Sequence, residues 1–86
     1  MIEQQRTALT ILRRKQVEKI TGLSRSTLYD KISNGTWPRP ISLGLRAVGF
    51  PLPEIEAMIS ALIAGKSEEE IKELVTKLEA ARKSFA

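Results

Sequence analysis

The sequence contains no cysteine and no histidine. These absences exclude disulfides, thiol nucleophiles, Cys/His zinc sites and imidazole acid–base chemistry. A glycine-rich phosphate loop is also missing, because Gly44 and Gly49 stand apart from each other. Glu54 and Glu56, and the run Glu68 to Glu70, lie at the polar starts of predicted helices, where capping and the helix dipole account for them. We therefore expect a protein that is not an enzyme and needs no cofactor or metal.

Long apolar stretches are missing as well. No run of about eighteen apolar residues could cross a membrane, and no charged-then-apolar leader is present. A chain of 86 residues has room for one domain with a modest core. We expect a soluble, cytoplasmic protein with no membrane partner.

The charge is distributed unevenly along the chain. Residues 1–50 hold nine basic and three acidic side chains, a formal charge of +6, whereas residues 51–86 hold five basic and seven acidic ones, a charge of −2. A basic front half is typical of a module that binds a polyanion. Lysines and arginines scattered over a solvated surface, with no ligand, would explain this positive charge equally well.

Residues 14–35 predict two short helices joined by a tight turn, which is a helix-turn-helix. The first helix runs from Arg14 to Thr21 and is followed by Gly22, a typical residue just beyond a helix end. Ser24 is a natural N-cap for the second helix, which Asn34 and Gly35 end. The residues predicted to face inward are Val17, Ile20, Leu23, Leu28 and Ile32.

The next stretch changes to a β pattern. Pro38 and Pro40 exclude helix, and residues 41–43 and 48–50 alternate with period two around Gly44. A β-hairpin directly after a helix-turn-helix is called a wing. The segment "LTILR" at residues 9–13 is either an edge strand or lead-in chain.

Two more helices are predicted after the hairpin. Pro53 fits the first position of a helix ending at Ala64, with an apolar face formed by Ile55, Met58, Ile59, Leu62 and Ile63. Ser67 and Glu70 form a capping box for a last helix. Its apolar stripe is Ile71, Leu74, Leu78, Ala81 and Phe85. That stripe must be buried, either on a second copy in a homodimer or on the preceding helix within one monomer.

The predicted fold class is therefore mainly α with a small β-hairpin: a winged helix-turn-helix followed by two C-terminal helices. The predicted organisation is a flexible N-terminus at 1–8, a DNA-binding domain at 9–65 and a C-terminal helix at 66–86 as a candidate dimerisation element.

The second helix carries residue types that read double-stranded DNA. If Leu28 and Ile32 face the core, Arg25, Ser26 and Tyr29 lie on or beside the opposite face, with Thr27 flanking. Arg25 suits guanine O6 and N7 or a phosphate, and the hydroxyls suit either. These side chains also have interpretations that involve no DNA: Arg25 as a solvated cation at the helix start, and Tyr29 as a half-buried packing residue.

Other candidate contacts lie outside that helix. Arg39 and Arg46 flank the wing and suit the DNA backbone, while Arg14 and Lys15 at the start of the first helix are backbone contacts or solvated charge. Trp37 resembles a stacking platform for single strands, but its place between a helix end and a proline favours a plug between hairpin and helices.

The run "TGLSRSTLYDKISNGTWPRPISLGLRAVGF" followed by "IEAMI" resembles the AlpA-type phage regulators, which are small winged-helix DNA-binding proteins related to the MerR-like group and to phage excisionases. The resemblance covers about Arg13 to Ala64. It implies a transcription factor of a prophage or mobile element, with Arg46 in the wing contact. It places five residues in the major groove: Ser24, Arg25, Ser26, Thr27 and Tyr29.

Two features depart from that family. Position Asp30 is usually basic in such proteins, and the helix from Ser67 to Phe85 is additional. Two other functions stay open: an excisionase-like architectural factor that bends DNA, and a protein-interaction module with a basic face.

Overall fold

A computed structural model describes residues 9–85 and contains the predicted succession of elements. The predicted flexible segment 1–8 lies outside the described residues. The elements are β1 (Ile11–Leu12), α1 (Arg14–Thr21), α2 (Arg25–Asn34), β2 (Ile41–Gly44), β3 (Ala47–Pro51), α3 (Leu52–Ile63) and α4 (Glu68–Ala81), which continues into a 3₁₀ turn (Arg82–Phe85). This order confirms the predicted fold class.

The helix-turn-helix is set by local capping. Gly22 ends α1 with a φ of 77°, a left-handed conformation that glycine adopts without steric cost. Ser24 then caps α2, and its side chain accepts a hydrogen bond of 3.1 Å from the Thr27 amide. Because both signals are local, α1 and α2 begin and end where the sequence predicts.

A three-stranded antiparallel sheet in the order β1-β3-β2 forms the wing and its support. The segment at residues 9–13 is thus an edge strand, with Leu12 opposite Phe50. Gly49 is buried at the centre of the sheet, where an added Cβ would clash with the Ile11 side chain and lie 3.2 Å from the Leu12 carbonyl oxygen. The close approach of β1 to β3 therefore requires glycine at position 49.

One hydrophobic core joins all the helices to the sheet. Its fully buried large side chains are Trp37, Phe50, Leu28, Ile55, Met58 and Val17. Ile71 and Val75 of α4 are each 5% exposed and belong to the same cluster. The apolar stripe of α4 from Ile71 to Leu78 therefore packs within the chain, as the monomeric alternative predicts.

Five predicted core positions are wrong. Ile20 is 51% exposed; the neighbouring Thr21 is partly buried instead, and its hydroxyl donates to the Val17 carbonyl oxygen at 2.7 Å. The other four lie in the last turns of their elements, beyond the packed region. Leu62 and Ile63 of α3 are 44% and 82% exposed, Ala81 at the end of α4 is exposed, and Phe85 is 69% exposed.

The predicted start of α3 is also wrong by one residue. Leu52 is already helical and Pro53 takes the second position. The Leu52 amide donates to the Thr10 carbonyl oxygen at 2.7 Å, so the sheet holds the first helical residue in place. Pro53 costs no hydrogen bond there, since the first amides of a helix have no partner within it.

Candidate nucleic-acid interface

Helix α2 has one buried and one exposed side, as the sequence predicts. Leu28 is fully buried and Ile32 packs against the core. Arg25, Ser26 and Tyr29 are exposed. The N-terminal half of α2 therefore presents a cation, a hydroxyl and a phenol to solvent.

Two of those side chains contact each other. The guanidinium carbon of Arg25 lies 6.0 Å from the centroid of the Tyr29 ring, a cation–π distance between residues one helical turn apart. Tyr29 is 40% exposed, so it remains accessible to a ligand while its ring lies beside Arg25. The pair places the Arg25 guanidinium beside the exposed Tyr29 ring, in the N-terminal half of the helix.

Ser24 and Thr27 are partly engaged in capping. The Ser24 hydroxyl accepts from the Thr27 amide and donates to the Thr27 hydroxyl oxygen at 2.9 Å. The Thr27 hydroxyl keeps its own hydrogen and is exposed. In this arrangement Ser24 sets the start of α2, and Thr27 has a donor available for a ligand.

The tip of the wing is a two-residue turn, Leu45-Arg46. Arg46 adopts a φ of 60° and is exposed. Leu45 is 96% exposed, and the sequence reasoning does not single it out. A cation and an apolar side chain thus stand together at the outermost point of the hairpin.

Arg39 lies at the base of the wing, and its backbone is held by the C-terminal helix. The Arg39 amide donates to Glu79 Oε2 at 2.8 Å, and the Arg39 carbonyl oxygen accepts from Arg82 Nη2 at 2.6 Å. The Arg39 side chain is exposed and forms no ion pair with another described residue. The backbone is therefore fixed while the guanidinium remains available.

Arg82 is itself anchored to the core by Glu54. Its Nε and Nη2 atoms donate to the two carboxylate oxygens of Glu54, both at 2.7 Å. Glu54 is only 6% exposed. Hydrogen bonding to Glu54 raises the pKa of the Arg82 guanidinium above its ordinary value, although partial burial opposes this shift. A bidentate pair of this kind is geometrically specific.

Sequence reasoning does not find this network. Glu54 and Arg82 are 28 positions apart, and the partners of the Arg39 amide and carbonyl lie 40 and 43 positions away. No local pattern links residues at such distances. Only the charge signs and the helical spacing of Glu79 and Arg82 were available from the sequence.

The two cations predicted at the start of α1 differ. Arg14 forms an ion pair with Glu18 one turn later, and both side chains are 25% exposed. Lys15 is exposed and forms no ion pair with a described residue. Of these two candidates, Lys15 is the freer to contact a ligand.

Trp37 is a core residue, as the plug interpretation predicts. It is 1% exposed, which excludes it as a stacking surface in this conformation. Its indole nitrogen has no hydrogen-bond partner among the described residues. Beside it a cleft of about 380 Å³ opens between the end of α2 and α4, with Ser33, Arg39, Lys72 and Glu79 in its walls.

The polar surface from α2 to the wing is basic overall. Residues 24–50 contain Arg25, Lys31, Arg39 and Arg46 against Asp30 alone, a formal charge of +3. Within residues 9–85, no three acidic side chains come together as metal ligands would. No helix in the described part of the chain is long and apolar enough to span a membrane.

The fold and this surface define a helix-turn-helix protein with a β-hairpin wing and two C-terminal helices. The family described as "Prophage CP4-57 regulatory protein (AlpA)" matches residues 10–62, which is more than half of the chain. The chain belongs to this family of prophage regulatory proteins.

A phage protein is also similar to part of the chain. Over 55 residues the chain is 40% identical to "Uncharacterized protein ORF88" of Enterobacteria phage P4. The aligned segment covers 64% of this chain and 62% of that protein.

Proposed function

We propose that this chain is a sequence-specific transcriptional regulator of a prophage or mobile element, that it binds double-stranded DNA in the cytoplasm, and that it is not an enzyme. The observation that carries this proposal is the exposed start of α2, where Arg25 lies over Tyr29 beside Ser26 and Thr27. The family's printed description as a regulatory protein supports it.

Helix α2 has the properties of a recognition helix. Its N-terminal residues are exposed, its opposite side is anchored by the fully buried Leu28, and α1 packs across it. In helix-turn-helix proteins the second helix enters the major groove with its N-terminal residues at the base edges. We assign base contacts to Arg25, Ser26 and Thr27, with Tyr29 as the support of Arg25.

The remaining cations suit the DNA backbone. Arg39 and Arg46 are exposed at the base and tip of the wing, and Lys15 is exposed at the start of α1. Phosphate contacts of this kind fix register and orientation but carry no sequence information. This wing arrangement also favours placing the chain with the MerR-like winged helix-turn-helix proteins.

The second candidate function is an excisionase-like architectural factor. The 96% exposed Leu45 beside Arg46 favours it, because apolar side chains inserted between base steps kink DNA. An architectural factor would bend its site, whereas a regulator that only reads bases would leave it nearly straight. Gel mobility of duplexes with the site at the centre or at the end distinguishes the two.

Dimerisation through α4 stays a prediction. Ile71 and Val75 are already buried within the chain, which leaves Ala81 and Phe85 as the exposed members of the predicted stripe for contact with a second copy. Sedimentation of the full chain at roughly tens of micromolar tests it. A monomer at that concentration would contradict dimerisation.

Selection of bound duplexes from a random-sequence pool tests the proposed function, repeated at about 50 and 200 mM salt because counterion release weakens phosphate contacts over that range. We expect one motif to be enriched at both salt concentrations. Binding without a motif would contradict base reading, and no binding at either salt would favour a protein-interaction module with a basic face.

A further inference from the structure

The C-terminal helix α4 lies beyond the residues that match the family, yet it contacts the base of the wing. Glu79 accepts a hydrogen bond from the Arg39 amide, and Arg82 donates one to the Arg39 carbonyl oxygen. The end of the C-terminal helical region therefore holds the peptide groups both before and after the Arg39 Cα. We call these two contacts the Arg39 clamp.

The wing depends on this clamp because of its sequence. Arg39 lies between Pro38 and Pro40, which have no amide hydrogen, so its amide is the one backbone donor in this tripeptide. Pairing of β2 begins only at Ile41. Within the described residues, Arg39 forms no backbone-to-backbone hydrogen bond. Glu79 of α4 and Arg82 of the following 3₁₀ turn thus supply the polar contacts that fix the chain as it leaves the core.

The clamp is anchored to the core because Arg82 is also bound to Glu54. The buried Glu54 binds Arg82 through both carboxylate oxygens, which ties the clamp to the first turn of α3. Breaking this pair would leave a buried carboxylate without its cation. Glu79 is therefore the residue through which the clamp can be opened with the least damage to the core.

Arg39 lies beside the C-terminal end of α2. Arg39 and Ser33 line the same cleft between the end of α2 and α4. A guanidinium whose backbone is fixed loses less freedom on binding than one on a loose segment. The clamp therefore fixes the point from which the Arg39 side chain extends, relative to the end of α2.

From these contacts we infer that Glu79 and Arg82 are positioning residues for DNA binding: they hold the Arg39 backbone so that its guanidinium meets a phosphate beside the groove that α2 enters. The inference rests on the proposed function and assigns the additional helix a role in the interface.

Glu79→Ala tests the inference against a matched control, Glu73→Ala. Glu73 is on the same helix, is exposed, and forms no ion pair or side-chain hydrogen bond with a described residue. Both variants remove one negative charge, which by itself strengthens binding to DNA. If the clamp positions Arg39, Glu79→Ala should instead weaken binding, with affinity for the selected duplex falling about tenfold. Glu73→Ala should not weaken binding. Glu79→Gln retains an acceptor oxygen and should bind like Glu73→Ala.

Two further measurements separate positioning from general stability. The slope of log affinity against log salt concentration should decrease in magnitude by about one in Glu79→Ala, which corresponds to the loss of one phosphate contact. The slope should stay unchanged in Glu73→Ala and Glu79→Gln. In an Arg39→Ala background, Glu79→Ala should have no further effect on affinity. Thermal unfolding of each full-length variant shows whether the fold is intact.

Each other result overturns the inference. Equal affinities for Glu79→Ala and Glu73→Ala, or a loss in Glu79→Ala that persists in the Arg39→Ala background, would show that the clamp does not act through Arg39. If the parent binds no duplex, the proposed function fails and the DNA role of the clamp fails with it. Hydrogen exchange of the Arg39 amide, faster in Glu79→Ala than in the parent, then still reports whether the clamp exists.

Discussion

The Arg25 guanidinium lies over the Tyr29 ring at 6.0 Å, on the exposed side of the second helix of the helix-turn-helix. Arginine at the start of a helix is mildly disfavoured by the helix dipole. Attraction to the face of the aromatic ring offsets this cost in part. The planar guanidinium is suited to bidentate contact with guanine.

Tyr29→Leu should therefore reduce discrimination between the selected duplex and a single-base variant of it. A cation–π contact at an exposed site contributes about 0.5–1 kcal/mol, so we expect a two- to fivefold loss. Tyr29→Phe keeps the ring and should discriminate like the parent. Fluorescence anisotropy titrations with both duplexes give the comparison, and unchanged discrimination by Tyr29→Leu would show that the ring does not support Arg25.

Arg46 should contribute affinity without sequence preference. Its φ of 60° makes glycine the better truncation, because Arg46→Gly removes the side chain and relieves the left-handed backbone. We expect weaker binding to all duplexes by the same factor and a salt slope smaller by about one. A change that depends on the base pair near the wing would contradict a phosphate role for Arg46.

The ion pair between Glu54 and Arg82 should stabilise the fold only as a pair. Arg82→Met leaves a carboxylate that is 6% exposed without its partner. We expect a loss of about 1–3 kcal/mol in the free energy of unfolding, less than for a fully buried pair because Arg82 remains partly exposed. The double variant Glu54→Leu/Arg82→Met should recover part of that loss in urea unfolding. A double variant less stable than Arg82→Met would contradict this explanation.

Acid should weaken the start of α4. Hydrogen bonding from the Ser67 backbone, together with Lys66 and the Ser67 hydroxyl, lowers the pKa of Glu70 below its ordinary value of 4.5. A carboxyl with a lowered pKa stabilises the fold above its unfolded pKa, and that contribution is lost as the pH falls through the folded value. Glu70→Gln should therefore lose less stability than the parent between about pH 6 and pH 3. Equal losses of stability in Glu70→Gln and the parent over this range would contradict this explanation.

The sequence predicts those parts of the fold that local signals determine. Gly22, Ser24 and the Pro38-Arg39-Pro40 segment each act within a few residues, and the helix-turn-helix and wing lie where these signals place them. The exposed face of α2 follows from the burial of Leu28 by the same periodicity.

Long-range contacts could not be predicted in the same way. The Arg39 clamp joins residues 40 and 43 positions apart, and no periodic pattern specifies such a pairing. Ile20 and Ile63 show a second limit of prediction from sequence, since both are predicted to be buried and are exposed. Spacing shows that a residue is on an apolar stripe, but the extent of the packed surface decides whether it is buried.

Base reading by Arg25 is the central claim, and one titration tests it most directly. The parent, Arg25→Ala and Arg25→Lys are titrated with the selected duplex and with a duplex in which the guanine assigned to Arg25 is replaced. The parent should discriminate between them by about 1–3 kcal/mol. Both variants should bind the two duplexes nearly equally, with unchanged thermal unfolding. Alanine removes the contact, and lysine keeps the charge but lacks the planar guanidinium that makes two parallel hydrogen bonds. Discrimination retained by Arg25→Ala would contradict base reading by this residue.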